Sequence, residues 1–170
     1  MDLKILSAGL IVQDIIVTPV SAEVFEKDAV YIDRPLYCSG GDALNSAMVL
    51  AKLGADVSFM GMVGKDMAGS FLLDEMKKRQ IATSRVVQSD RYGTSTSIVL
   101  GTADGERHFA YYGDSNNNFE PSMITDDILD SIDILYIASV MTLTKFTGEA
   151  LENLFIRAKK HNVVTVMDSA

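Results

Sequence analysis

The stretch from Gly40 to Gly64 constrains the fold more than any other: Gly-Gly-Asp-Ala-Leu-Asn-Ser-Ala-Met-Val-Leu-Ala-Lys-Leu-Gly-Ala-Asp-Val-Ser-Phe-Met-Gly-Met-Val-Gly. The glycine pair ends an extended segment. A helix is predicted from Asp42 to Leu53, with Asp42 as its N-cap and Gly54 at its C-terminal stop. The near-continuous apolar run Val57 to Met62 then reads as a strand covered on both faces. This order is a building block of an α/β sheet, and its glycine turn leaves bare backbone beside a helix N-terminus. Free N–H groups and the helix dipole there accept the oxygens of a small polar ligand. Taken alone, Gly40 and Gly41 are equally a plain turn and Asn45 an exposed helical residue. Asp42 reads as a cap rather than a catalytic base.

Apolar runs of strand length precede this unit at Leu3 to Leu10 and Ile11 to Val20, and Ala29 to Tyr37 alternates as a half-exposed strand that Pro35 confines to an edge or a bulge. After it, Asp66 to Arg79 is a predicted helix with Ala68, Phe71, Leu72 and Met76 on one face. The segments 94–101 and 107–113 flank Asp104-Gly105, a strong hairpin signal. Ser115 to Asn118 reads as a polar loop. A short helix at 125–131, a buried strand at 134–138, a helix at 144–161 and a strand from Val163 follow. Strand–helix alternation from Val57 onward implies a parallel sheet with helices on both faces. The antiparallel pieces near 14–37 and 94–113 do not fit that sheet and are expected to form a lid. The expected fold is thus α/β and Rossmann-like, with a small β-sheet lid.

With 170 residues and 48% hydrophobic content, one globular domain is expected. The net charge of −8 gives a field of the wrong sign for a nucleic-acid or anionic-membrane partner. No apolar run approaches the roughly 20 residues of a membrane span. Met1 leads straight into a strand without a secretory pattern, and Cys38 has no second cysteine to pair with, so a cytoplasmic protein is expected. Cys38 itself reads as a small buried hydrophobe.

Asp14 interrupts the apolar run Ile11 to Val17, where a carboxylate is costly without partners. It suits acceptance of hydrogen bonds from two neighbouring hydroxyls of a polyol, and equally a solvated strand end. Arg107, Tyr111 and Tyr112 on the hairpin fit either a lid closing over a ligand or ordinary cross-strand pairs. Gly61 to Asp66 lacks the spacing of a phosphate loop, and no G-x-G-x-x-G, zinc-ligand spacing or nucleophile elbow is present.

Gly40-Gly41-x-Ala43-x-Asn45-x-Ala47, followed by Gly54 and Gly64, resembles the N-terminal signature of the ribokinase-like (PfkB-type) carbohydrate kinases. Gly64-Lys65-Asp66-x-x-Gly69, the hairpin Asp104-Gly105-Glu106-Arg107 and the run Val164 to Ala170 resemble further segments of that family, so the likeness spans essentially the whole chain. The resemblance implies ATP-dependent phosphorylation of a sugar or sugar-like alcohol hydroxyl. Asp14, Gly40, Gly41 and Asn45 would hold the substrate, and Arg107 and Tyr111 would belong to a lid that often forms a homodimer interface. It also implies ATP and magnesium, but the family's Asn-x-x-Glu segment and Gly-Ala-Gly-Asp anion hole with its catalytic base are not found here. Residues 1–170 are therefore expected to be the N-terminal part of one kinase domain, inactive alone. A sugar-binding or dimerising module without catalysis is the alternative, and a nucleotide-binding oxidoreductase a remote one. The bare strand from Val163 is expected to promote self-association. A neutral sugar or nucleoside suits the site better than a keto-deoxy acid, for which Arg107 is the one cationic candidate.

Overall fold

The computed structural model describes residues 3–169. Met1, Asp2 and Ala170 lie outside that range, so the run Val164 to Ala170 is described only as far as Ser169. In chain order the strands and helices begin with β1 (Lys4–Gly9), β2 (Val12–Val17), β3 (Leu36–Gly40), α1 (Asp42–Lys52), β4 (Asp56–Met60), β5 (Met62–Gly64) and α2 (Met67–Lys78). They continue with β6 (Val87–Ser89), β7 (Thr96–Gly101), β8 (Arg107–Tyr112), α3 (Asp114–Asn118), α4 (Asp126–Leu129), β9 (Ile134–Ala138), α5 (Gly148–Lys160) and β10 (Val164–Met167). No helix among the described residues is long and apolar enough to cross a membrane.

The core is a parallel sheet of order β10-β9-β1-β4. Side chains alternate across it, as the period of two requires. Leu6, Ala8, Met60, Leu135 and Ile137 pack on one face with Leu154 and Ala158 of α5 and Leu129 of α4. Val57, Phe59 and Ala138 pack on the other face with Ala43, Leu44 and Ala47 of α1 and Leu72 and Met76 of α2. Full burial contributes about 1.5–3 kcal/mol per Leu or Phe side chain, so both layers are held mainly by this apolar contact. β1 lies between β4 and β9, where the chain order of the sheet reverses. A crevice at the C-terminal ends of the strands opens at such a point. The residues that follow β1, β4 and β9, and the start of α1, meet there.

The lid is a second four-stranded sheet, β3-β2-β7-β8. Its two outer pairings are antiparallel, but the central pair β2–β7 is parallel, with Asp14 opposite Ser97 and Ile16 opposite Val99. The sequence pointed only to antiparallel pieces, because alternation within a strand carries no sign of direction. β5 and β6 form a separate parallel pair.

Three further expectations change. Residues 29–35 form no strand; β3 starts only at Leu36, directly after Pro35, although it is an edge strand as that proline requires. Residues 115–118 are not a loop but most of the short helix α3, with Ser115 and Asn116 buried. Asp42 is not the N-cap of α1: Gly41 holds that position, and Asp42 is the first helical residue. Its carboxylate turns instead toward the hydroxyl of Ser139, which donates to it at 2.5 Å.

Candidate functional site

Asp14 sits mid-strand in β2, half-buried between Cys38 of β3 and Ser97 of β7. Its carboxylate lies directly over Gly40. A Cβ at Gly40 would fall 2.2 Å from Asp14 Oδ2, so only glycine leaves room for that carboxylate. Burial pushes the Asp14 carboxyl above its ordinary value. No hydrogen-bond donor among the described residues meets it, which leaves its acceptor sites open. Cys38, read from the sequence as buried, is only half-buried beside this carboxylate.

Gly41 follows at φ +90°, a conformation side chains rarely adopt, and a Cβ there would lie 2.4 Å from the Leu10 carbonyl oxygen. It presses the start of α1 against the end of β1. Asn45 is exposed on the first turn, its backbone N–H donating to the Gly41 carbonyl at 2.9 Å. Beside it, Ser139 is buried in the left-handed region with φ 58° at the end of β9, and its hydroxyl tethers Asp42. Ser7 within β1 donates to the Ala43 carbonyl at 2.7 Å, pinning α1 to the sheet from below.

On the lid, Cys38, Asp14, Ser97 and Tyr111 form one row across the sheet, so Tyr111 shares the face of Asp14. Arg107 is on that face too, but opposite Gly101, four residues along β8 from Tyr111 and therefore about 13 Å away. Its guanidinium stacks on Phe109, 5.9 Å from the ring centre. A groove of about 280 Å³ runs along this face past Asp14, Ile16, Val99, Phe109 and Arg107. The fold thus brings Asp14, Gly40 and Gly41 into contact and sets Asn45 on the adjoining helical turn. Tyr111 stands two strands from Asp14, and Arg107 is at the far end of the groove.

Sequence reasoning placed Asp66 at the start of a helix but missed the polar contacts that tie the lid to the core. Asp66 caps α2 through Gly69 N–H and also accepts from the Thr94 N–H (2.8 Å) and hydroxyl (2.6 Å), fastening α2 to the chain entering β7. Asn116 accepts from Ile11 N–H at 3.2 Å and donates to Ile11 O at 2.8 Å and Tyr111 Oη at 3.1 Å. The one sequence signal was the run of small polar residues just after the hairpin, which suits buried crossings as well as a loop. Among the described residues no group of three or more His, Cys, Asp or Glu is placed to hold a metal ion.

Residues 2–170 match the family described as pfkB family carbohydrate kinase. The chain belongs to this family. Among related proteins, this pfkB chain is 27% identical to a ribokinase from Staphylococcus aureus over 132 residues, 77% of this chain and 42% of the relative. It is 35% identical to a fructokinase from Salmonella typhimurium over 78 residues, 46% of this chain and 25% of the relative. The structure of a fructokinase from Xylella fastidiosa aligns with a TM-score of 0.81 at 27% identity, covering 99% of this chain and 50% of that one. That fructokinase has also been solved with bound ATP. An adenosine kinase from Sinorhizobium meliloti shares the fold, with a TM-score of 0.76 at 19% identity. The pfkB chain thus spans 42% of the length of that ribokinase, about half of the Xylella fructokinase and 56% of the adenosine kinase.

Proposed function

We propose that this chain supplies the substrate-side half of an ATP-dependent kinase acting on a hydroxyl of a sugar or sugar-like alcohol. The observation that carries the reading is the Asp14 carboxylate: raised in pKa, met by no donor among the described residues, and seated on Gly40 where the lid meets α1. Two neighbouring hydroxyls of a polyol would fill its open acceptor positions, as charge-assisted hydrogen bonds. Gly40 and Gly41 let the substrate reach the backbone, and Asn45 offers an amide from the adjoining turn. Tyr111 would cover the substrate from the lid and help exclude water. Phosphoryl transfer depends on such positioning and dryness more than on covalent chemistry by the protein.

On this reading residues 1–170 are the N-terminal part of one kinase domain, and the catalytic base and the ATP site are supplied outside the residues described. ATP provides the transferred phosphoryl group. Among the described residues no group of His, Cys, Asp or Glu is placed to hold magnesium. A neutral sugar or nucleoside fits best, since among the described residues no cation pairs with Asp14. The protein works in the cytoplasm, and the outward lid face, with exposed Tyr37, Ile98 and Tyr112, suits a second lid in a homodimer.

Calorimetric titration with a panel of neutral sugars and nucleosides tests the reading. One of them should bind, and Asp14→Asn should weaken it at least tenfold, the scale of a charge-assisted hydrogen bond. Equal affinity in Asp14→Asn would remove the anchor of the proposal. A coupled ADP-release assay on the same panel should show no turnover by the 170-residue chain; turnover would place the base within it.

A further inference from the structure

Four segments carry the chain between the core sheet and the lid. Leu10–Ile11 links β1 to β2, Gly41 links β3 to α1, residues 93–95 lead into β7, and Gly113 leads from β8 into α3. Two of the four are hydrogen-bonded to two neighbouring residues of α3, into which a third, Gly113, leads directly. The Asn116 carboxamide closes both the N–H and the C=O of Ile11 and also reaches the Tyr111 hydroxyl. Its own N–H donates to Ser95 Oγ at 3.1 Å, while Ser115 Oγ accepts from Ser95 N–H and pairs with Ser95 Oγ, both at 3.0 Å. The fourth crossing, Gly41, packs its backbone against Leu10 and Ile11. Ile11 therefore stands at the centre of the junction, wholly buried, three residues before Asp14.

Asparagine suits this place for a chemical reason. One carboxamide presents an acceptor and two donors in a plane, so it can answer a whole peptide unit as a neighbouring strand would and still have a donor left. Asn116 is 1% exposed, and each of these groups has a partner, the condition under which a buried polar network fixes a single geometry. The remaining donor goes to a residue that is not buried. Tyr111 is half-exposed on the lid face that carries Asp14 and Ser97. A Cβ on Gly113 would lie 2.6 Å from the Tyr111 ring, so this glycine lets the ring fold back toward Asn116.

We infer that Asn116 is the positioning residue of the lid hinge, coupling the placement of Tyr111 on the lid to the strand that presents Asp14. When the lid settles on a ligand, the Tyr111–Asn116 bond holds the Ile11 peptide, and with it Asp14, in register with Gly40 and Gly41. The consequence for substrate rests on the sugar-site reading above; the mechanical link does not.

Hydrogen exchange and sugar titration on wild type, Tyr111→Phe, Asn116→Ala and the double variant test this. Tyr111→Phe should quicken exchange at Gln13, Asp14 and Ser97 about fivefold, the loss of one hydrogen bond, while β1 and β9 amides keep their protection. Asn116→Ala should quicken the same lid amides further. Sugar affinity should fall in the same order, with the double variant no weaker than Asn116→Ala, because both act through one link. Wild-type exchange rates in the lid of Tyr111→Phe, or strict additivity of the two substitutions, would overturn the inference. Should Asn116→Ala fail to fold, exchange in Tyr111→Phe decides alone. Should wild type bind no sugar, the sugar-site reading falls while exchange still decides the hinge.

Discussion

Burial raises the pKa of the Asp14 carboxyl, and no described donor offsets that, so ionised Asp14 opposes folding. A carboxyl whose folded pKa lies above its ordinary 3.8 stabilises the fold only in its neutral form. That contribution is present below the ordinary value and lost as pH rises through the folded one. At pH 7 it is gone. Asp14→Asn should therefore melt about 1–3 °C above wild type at pH 7 in thermal denaturation, while losing sugar affinity. A stability gain coupled to a binding loss would mark Asp14 as kept for its ligand. The glycines separate in the same spirit. Gly40→Ala meets a movable carboxylate, so the fold should persist with weakened sugar binding. Gly41→Ala meets backbone at positive φ, and urea titration should show a loss of about 1–3 kcal/mol. At this scale Asp14, Gly40 and Gly41 stood out as candidates because each breaks a local rule, a charge in an apolar run or paired glycines before a helix, whereas Asn45 took its candidate role from the family resemblance. Asn116 and Ser139 were not legible. Their partners lie far along the chain, and a small polar residue looks the same in a loop as in a buried crossing.

Among the elements, α2 depends on one carboxylate. Burial raises the Asp66 pKa, but hydrogen bonds from the Thr94 hydroxyl and the Thr94 and Gly69 amides outweigh this and hold it below 3.8. The stabilisation is thus present above the ordinary pKa and lost as pH falls through the folded value. Asp66→Ala should cost about 1 kcal/mol at pH 7, and its gap from wild type should close on acidification below pH 3.8, read by denaturant titration across pH. The helices α1, α2 and α5 could be located because their apolar spacing agrees with their burial, although the N-cap of α1 is Gly41 and not Asp42. The antiparallel hairpin β7–β8 was announced by Asp104-Gly105. By contrast α3 has the sequence Asp-Ser-Asn-Asn-Asn, which has little helical preference of its own. Contacts to Ile11, Ser95 and Tyr111 hold it, and no local pattern encodes those. The segment 29–35 shows the converse, an alternation without a strand, because Pro35 breaks the run before it can pair.

For the whole molecule, two apolar surfaces stand exposed. One is the lid's outward face; the other is β10, at the edge of the core sheet, with Val164 and Val166 exposed beside a groove of about 540 Å³ along α5. Unpaired strand edges invite association. Sedimentation should show self-association of the 170-residue chain, with Val166→Lys suppressing open-ended growth and Ile98→Lys suppressing a discrete dimer. A clean wild-type monomer would refute both. The parallel seam of the lid bears on how the chain folds. Residues 13–17 must find residues 96–100, and everything between them has to be brought round first. Closing so long a loop carries an entropy cost before any contact repays it. The lid's two hairpins can form early, but the sheet that unites them should be among the last parts of the molecule to assemble. It should also be the first to come apart.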